Sequence, residues 1–332
     1  MKKVVAFLFS LLLGGAILVW VIGHIGWEEI SDLALGLFSI EGFLILFLSV
    51  VAFFVGAIRW NIILRYQGYH IPFRHIWQMC MGEFAISFTA PILVFGGEIF
   101  RAYALRTVHD VPFTRAFASN VIERICGVTA SLVVILVGAA AFFLQTEGAI
   151  PSFFWAALGA MGILGTLVSF FFFRSFRRKS IMKMFFKRSE LANGWELEKE
   201  VFSFFRLKNK ALLLCLALSL GKSGIMFARA WLLILFLGKA VGPFLALAIL
   251  GFQHVALFIP IPASLGTHEA LQLFAFESFN LGQSTGAAFA FTIRSADGAL
   301  ALVGVLFLLK FGLLIMKSAL ERKVSRFLGN AS

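Results

Sequence analysis

Apolar runs of about 20 residues recur along the chain, and most are closed by a short cluster of charged residues. A helix of about 20 apolar residues crosses the hydrocarbon core of a bilayer. The pattern therefore predicts an all-α polytopic membrane protein with six transmembrane helices, at 4–22, 43–64, 118–144, 153–173, 211–237 and 287–316. The first run follows Met-Lys-Lys. It is longer than the apolar core of a signal peptide and has no small-x-small cleavage site, so it is read as a retained span. The runs are continuous and rich in Phe and Leu rather than alternating, which argues against a β-barrel.

Two apolar stretches do not fit a simple span. One covers residues 76–100 and contains Pro91, Gly96, Gly97 and Glu98, with Arg101 close behind. The other covers 244–283 and contains Pro260, Pro262, Gly266 and Glu269. Each pairs a helix break with a carboxylate, and both are costly in hydrocarbon. Each is followed by an arginine in the next apolar run, Arg124 after 26 positions and Arg294 after 25. Ala118-x5-Arg124 also matches Ala288-x5-Arg294 at an offset of 170. The first stretch is flanked by basic loops on both sides, so it is expected to enter and return on one face. Two re-entrant broken-helix hairpins related by an inverted repeat are the expected layout, a pattern of membrane transporters.

Charge supports this layout. Segments 1–3, 59–75, 101–115, 174–210 and 317–332 hold 23 Lys and Arg, whereas 24–41, 145–152 and 238–284 hold only Lys239. Cytoplasmic loops are the basic ones, which places both termini in the cytoplasm. The chain is read as a single integral membrane domain: a first span and external loop (1–42), a first half (43–173), a basic loop (174–210), a second half (211–316) and a tail (317–332). Within the basic loop, 190–205 alternates charged residues with Leu, Val and Phe. It reads either as an amphipathic helix on the membrane surface or as a solvated linker. Arg59, Trp60 and Arg65 read as an interfacial cluster at the end of the second span.

Composition agrees with this class. The chain is 60% hydrophobic and 14% charged, with a mean hydropathy of +0.94. The net charge of +12 belongs to the loops, and no nucleic-acid motif accompanies it. Cys80, Cys126 and Cys215 lie in apolar runs without CxxC spacing and read as packing residues. No metal site, cofactor or catalytic constellation is expected.

The candidate chemistry lies in the ionisable groups of the apolar stretches: Glu83, Glu98, Arg101, Glu123, Arg124, Lys222, Arg229, Glu269, Arg294 and Asp297. Pairing alone accounts for some of them. Glu98 and Glu269 stand out because each follows a break that frees half-helix ends at membrane depth. Arg124 and Arg294 would supply guanidinium groups that bind phosphate through parallel N–H bonds. Glu98, Arg101, Glu123, Arg124, Glu269, Arg294 and Asp297 form the expected binding set for a head group. His254 and His268 are candidates for a proton relay, with ordinary packing as the alternative.

At Arg59-Trp60, Pro91-x4-Gly96-Gly97-Glu98-x2-Arg101, Glu123-Arg124 and Pro262-x3-Gly266-Thr267-His268-Glu269 with Arg294, the chain resembles the membrane domain of the lysylphosphatidylglycerol synthase family, a flippase-like domain. Thr267-His268 departs from the usual glycine-rich form. The resemblance implies movement of a phospholipid or polyprenyl-linked lipid across a bacterial or archaeal cytoplasmic membrane. Bifunctional members carry an aminoacyl-transferase domain after this region. The chain ends at Ser332 without one, so lipid aminoacylation is not expected. A membrane-embedded transferase and a partner of a lipid-synthesis enzyme are the other readings, and self-association is left open. With single cysteines at Leu93 and Leu265 in a cysteine-free background, a membrane-impermeant thiol reagent should label the two from opposite faces. Labelling from one face would rule out the inverted repeat.

Overall fold

The computed structural model describes residues 39–89, 96–145, 152–177, 180, 192–206, 209–256 and 266–329. These residues are helical apart from short turns, and no strand occurs among them. The helices are α1 (Ile40–Tyr66), α2 (Phe73–Thr89), α3 (Gly96–His109), α4 (Phe113–Gln145), α5 (Ser152–Phe176), α6 (Ala192–Phe204), α7 (Lys210–Phe236), α8 (Pro243–Ala256), α9 (Thr267–Ser278) and α10 (Gln283–Gly329).

Four of these are long and apolar enough to cross a bilayer: α1, α4, α7 and the Gln283–Ile315 part of α10. They match the expected spans at 43–64, 118–144, 211–237 and 287–316. The expected span at 153–173 lies in α5. The one at 4–22 lies outside the described residues. Two boundaries differ from expectation. Helix α4 begins at Phe113 because Pro112, preset for a first helical turn, accepts the first bond from the Ala116 N–H at 3.0 Å. Helix α10 runs for 47 residues without a break, so most of the expected tail, to Gly329, continues the last helix. Its 317–326 stretch is rich in Lys, Arg, Glu, Ala and Leu, which favour helix, and has no proline.

The helix limits repeat. Helices α1 and α7 are both 27 residues long and start at Ile40 and Lys210, 170 positions apart. The same offset separates the starts of α2 and α8 (Phe73, Pro243) and of α4 and α10 (Phe113, Gln283); α3 and α9 (Gly96, Thr267) differ by 171. The caps agree as well. Ser39 accepts from the Gly42 N–H at 3.1 Å, and Asn209 accepts from the Ala211 N–H at 3.0 Å. At the other ends, Tyr69 N–H donates to Leu64 and Lys239 N–H to Ile234, across Gly68 (φ 88°) and Gly238 (φ 76°). Both are glycine-closed helix ends that the left-handed conformation makes possible. Asp110 and Asn280 both have φ 53°.

Packing follows the same rule. Helix α1 lies along α7, α2 along α10, and the counterpart α8 along α4. Two contacts bring backbones together. A Cβ on Gly304 of α10 would lie 2.3 Å from the Met81 carbonyl of α2, and one on Gly138 of α4 would lie 2.9 Å from Gly251 Cα of α8. Small residues permit this approach where no hydrophobic force separates helices from lipid. Buried Trp60, Met79, Leu105 and Phe311 form one apolar cluster, and Ile45, Leu233, Ile249 and Phe289 form another.

Within the 190–205 stretch, Ala192–Phe204 is helix rather than linker. Val201 and Phe204 of α6, and Phe205 just past its end, are buried against Ile63, Ile122 and Leu212. The Phe171 and Phe172 rings of α5 stand edge-on to Phe205 at 5.2 and 5.4 Å. Gly304→Leu should therefore separate α2 from α10 and destabilise the protein by about 1–3 kcal/mol, the usual cost of overpacking. Thermal unfolding in detergent would show this, with Gly312→Leu, whose Cβ faces open space, as the unaffected control.

Candidate functional site

The charged residues of the apolar stretches collect in the interior of the bundle as two clusters. In the first, Arg59 of α1 donates from Nη1 to Ser219 of α7 at 2.7 Å and from Nη2 to Glu123 of α4 at 2.8 Å. The other Glu123 oxygen lies 2.7 Å from Arg101 of α3, and Arg101 is also paired with Glu83 of α2. Arg59, Glu123, Arg101 and Glu83 thus form one chain of charges drawn from four helices. The Arg101 side chain is 2% exposed, and its guanidinium sits 3.6 Å from the centre of the Trp60 ring. Trp60 is fixed in turn by donating to Ser119 at 3.0 Å.

The first turn of α3 adds a separate pair. Glu98 is buried and bound to Arg124 of α4, and Asn120 donates to the Glu98 carbonyl at 2.8 Å. Gly97 lets this turn approach α2, since a Cβ there would lie 2.6 Å from Glu83 Cγ. The Arg124 side chain remains 47% exposed.

The second cluster repeats part of the first. Arg229 of α7 donates to Ser49 of α1 at 2.6 Å and to Asp297 of α10 at 2.8 Å. Arg59 and Arg229 are 170 positions apart, and so are their partners Ser49 and Ser219. Each arginine therefore binds the serine of the opposite half. Glu269, in the first turn of α9, is fully buried, and Arg294 Nε lies 3.1 Å from its Oε1. Gly266 caps this helix at φ 78°, a conformation with little cost for glycine.

The repeat fails at several of the charged positions. At the same offsets, Glu83 corresponds to Gln253 and Arg101 to Gln272, so an ion pair in one half is replaced by two amides in the other. Both glutamines are buried. Gln253 Oε1, both polar atoms of Gln272 and His268 Nδ1 have no hydrogen-bond partner among the described residues.

Several expectations change. Arg59 and Trp60 are not an interfacial pair, because both are buried in the bundle. Arg101 is buried too, so Arg59 and Arg101 leave the count of loop charges; carboxylates from neighbouring helices hold them inside. Asp297 pairs with Arg229 rather than with the Glu269–Arg294 pair. His254 is bonded 3.0 Å from Leu250 O of its own helix. Pro91, Pro260 and Pro262 lie outside the described residues. The spacing of Glu98 to Arg124 and of Glu269 to Arg294 does correspond to ion pairs. Ser49, Ser219, Gln253 and Gln272 were not among the candidates; the 170-position offset applied to polar residues would have found them.

Breaking a buried pair by removing one partner leaves a charge uncompensated and costs about 3–5 kcal/mol. Glu123→Gln should lower stability by about that much, because it unpairs both Arg59 and Arg101. Asp297→Asn should cost less, since the Asp297 side chain keeps 27% exposure. Unfolding of the purified variants in denaturant would order the two.

Residues 3–318 match the family described as Lysylphosphatidylglycerol synthase TM region. UPF0104 membrane protein MJ1595 of Methanocaldococcus jannaschii is 27% identical over 105 residues, covering 32% of this chain and 31% of that protein. The similarity thus spans less than half of either chain, whereas the family match spans nearly all of this one. The chain belongs to the family of lysylphosphatidylglycerol synthase transmembrane regions.

Proposed function

We propose that the protein moves a phosphate-bearing lipid across the cytoplasmic membrane, with the head group held between the two broken stretches and the acyl chains kept in the bilayer. The observation that carries this reading is the matched pair of helix starts. Helices α3 and α9 each begin five positions after a proline of the sequence (Pro91, Pro262), each carries a buried carboxylate in its first turn, and each carboxylate meets an arginine of the following helix. Helix N-termini at membrane depth favour anionic groups. A partly exposed arginine can take two phosphate oxygens at once. On this reading the two four-helix sets are an inverted repeat, the stretches 76–100 and 244–283 are re-entrant, and alternate exposure of the two half-sites moves the head group.

The family supports a role at membrane lipid. Movement is tested with purified protein in liposomes carrying a fluorescent phospholipid, read by dithionite quenching of the outer leaflet. Wild-type protein should equilibrate the label between leaflets. Glu98→Gln and Arg124→Ala should each slow this at least about tenfold, as expected for loss of a charge-assisted hydrogen bond. Chemical conversion of the lipid without movement would instead favour a membrane-embedded transferase.

A further inference from the structure

Five of the six cations in the two interior clusters have a carboxylate within 4.0 Å. The sixth, Lys222, has none among the described residues. It is the thirteenth residue of the 27 in α7, so about 18 Å of helix separates it from the nearer end. A lysine side chain cannot snorkel that far. The surroundings also place it inside the bundle. Its ammonium lies 3.8 Å from where a Gly56 Cβ would be and 5.4 Å from the centre of the Phe53 ring. The charges whose fields reach it are Arg59, Glu123 and Glu83. Unlike Arg59, Arg101 and Arg229, which are buried, Lys222 is half-buried and keeps accessible surface.

The charge balance then points to an occupant. Arg124 with Glu98, Arg229 with Asp297, and Arg294 with Glu269 are neutral pairs. Arg59 and Arg101 are balanced by Glu123 and Glu83. Among these described interior charges Lys222 leaves one positive charge over, and an uncompensated charge at membrane depth costs about 2.5–3.5 kcal/mol on insertion scales. The position corresponding to it in the first half is Ala52, so the repeat does not require a lysine here.

We propose that Lys222 anchors the phosphate of a lipid head group carrying one net negative charge. A phosphodiester brings one negative charge and restores neutrality. A zwitterionic head group adds its own cation, which would have to compete for carboxylates already paired. The assignment deepens the lipid-transport reading and rests on it for the source of the phosphate.

The test uses the full chain in detergent and in liposomes. Binding is measured by tryptophan quenching with brominated phosphatidylglycerol, phosphatidylcholine or a cationic ethyl-phosphatidylcholine, and by competition with glycerol 3-phosphate. Lys222→Met should weaken binding of the anionic lipid at least about tenfold, the loss expected for a charge-assisted contact. It should leave the zwitterionic lipid nearly unchanged, and Lys222→Arg should restore the preference. Lys222→Gln checks that the loss follows charge rather than packing, and size-exclusion profiles check folding. Unaltered binding of the anionic lipid to Lys222→Met, or an equal loss for all three lipids, would overturn the assignment. Competition by glycerol 3-phosphate as strong as by the lipid would replace the lipid with a soluble phosphate. If wild-type protein shows the Lys222-dependent preference but moves no lipid, the transport reading fails and the anion site stands.

Discussion

A guanidinium inside an apolar bundle must find its partners there, and this requirement organises the structure. Arg59 takes one from α7 and one from α4, and Arg229 takes one from α1 and one from α10. Both arginines cross the contact between α1 and α7, which lie side by side. The two halves are therefore joined by charge-assisted hydrogen bonds as well as by apolar packing. Such bonds are about twice as strong as neutral ones. Neither half holds the full set of partners for its own arginine.

The shared backbone plan carries two different interiors. Around α3 the charges form a continuous paired chain under Trp60, and Lys222 of α7, which has no carboxylate partner among the described residues, lies within reach of their fields. Around α9 the equivalent positions hold glutamines and a histidine with open hydrogen-bonding capacity. A buried polar atom without a partner costs about 1–3 kcal/mol. The first half is thus internally paired, whereas the second retains buried polar atoms without a hydrogen-bond partner among the described residues.

Much of this architecture was legible in the sequence. Long apolar runs identify membrane helices whatever their packing, so the positions of α1, α4, α7 and α10 followed directly. The helix starts at Gly96 and Thr267, each with a carboxylate in its first turn, stood out because glycine beside a carboxylate has few uses in hydrocarbon. Their arginine spacing then marked the ion pairs. Arg59-Trp60 was misread because an arginine and a tryptophan near the end of an apolar run look the same at an interface and in a core. Only the acids on other helices, 64 positions away for Glu123, distinguish the two. The serine partners do not stand out without the repeat offset, because a serine in a membrane helix usually bonds the carbonyl of the residue four positions back. Ser49 and Ser219 do that as well as accepting from arginine.

The exchange of serines between halves also sets an order of assembly. Arg59 emerges from the ribosome 64 residues before Glu123 and 160 residues before Ser219. At about 5–20 residues per second, it waits roughly ten to thirty seconds for its last partner. During that interval α1 must be held in the membrane by its own apolar face, or sheltered by the insertion machinery. A young chain therefore carries Arg59 without either partner until α4 is made, and without its serine until α7 arrives. Variants that lengthen or stall synthesis of the 174–210 segment would act through this window, without touching any contact of the finished protein.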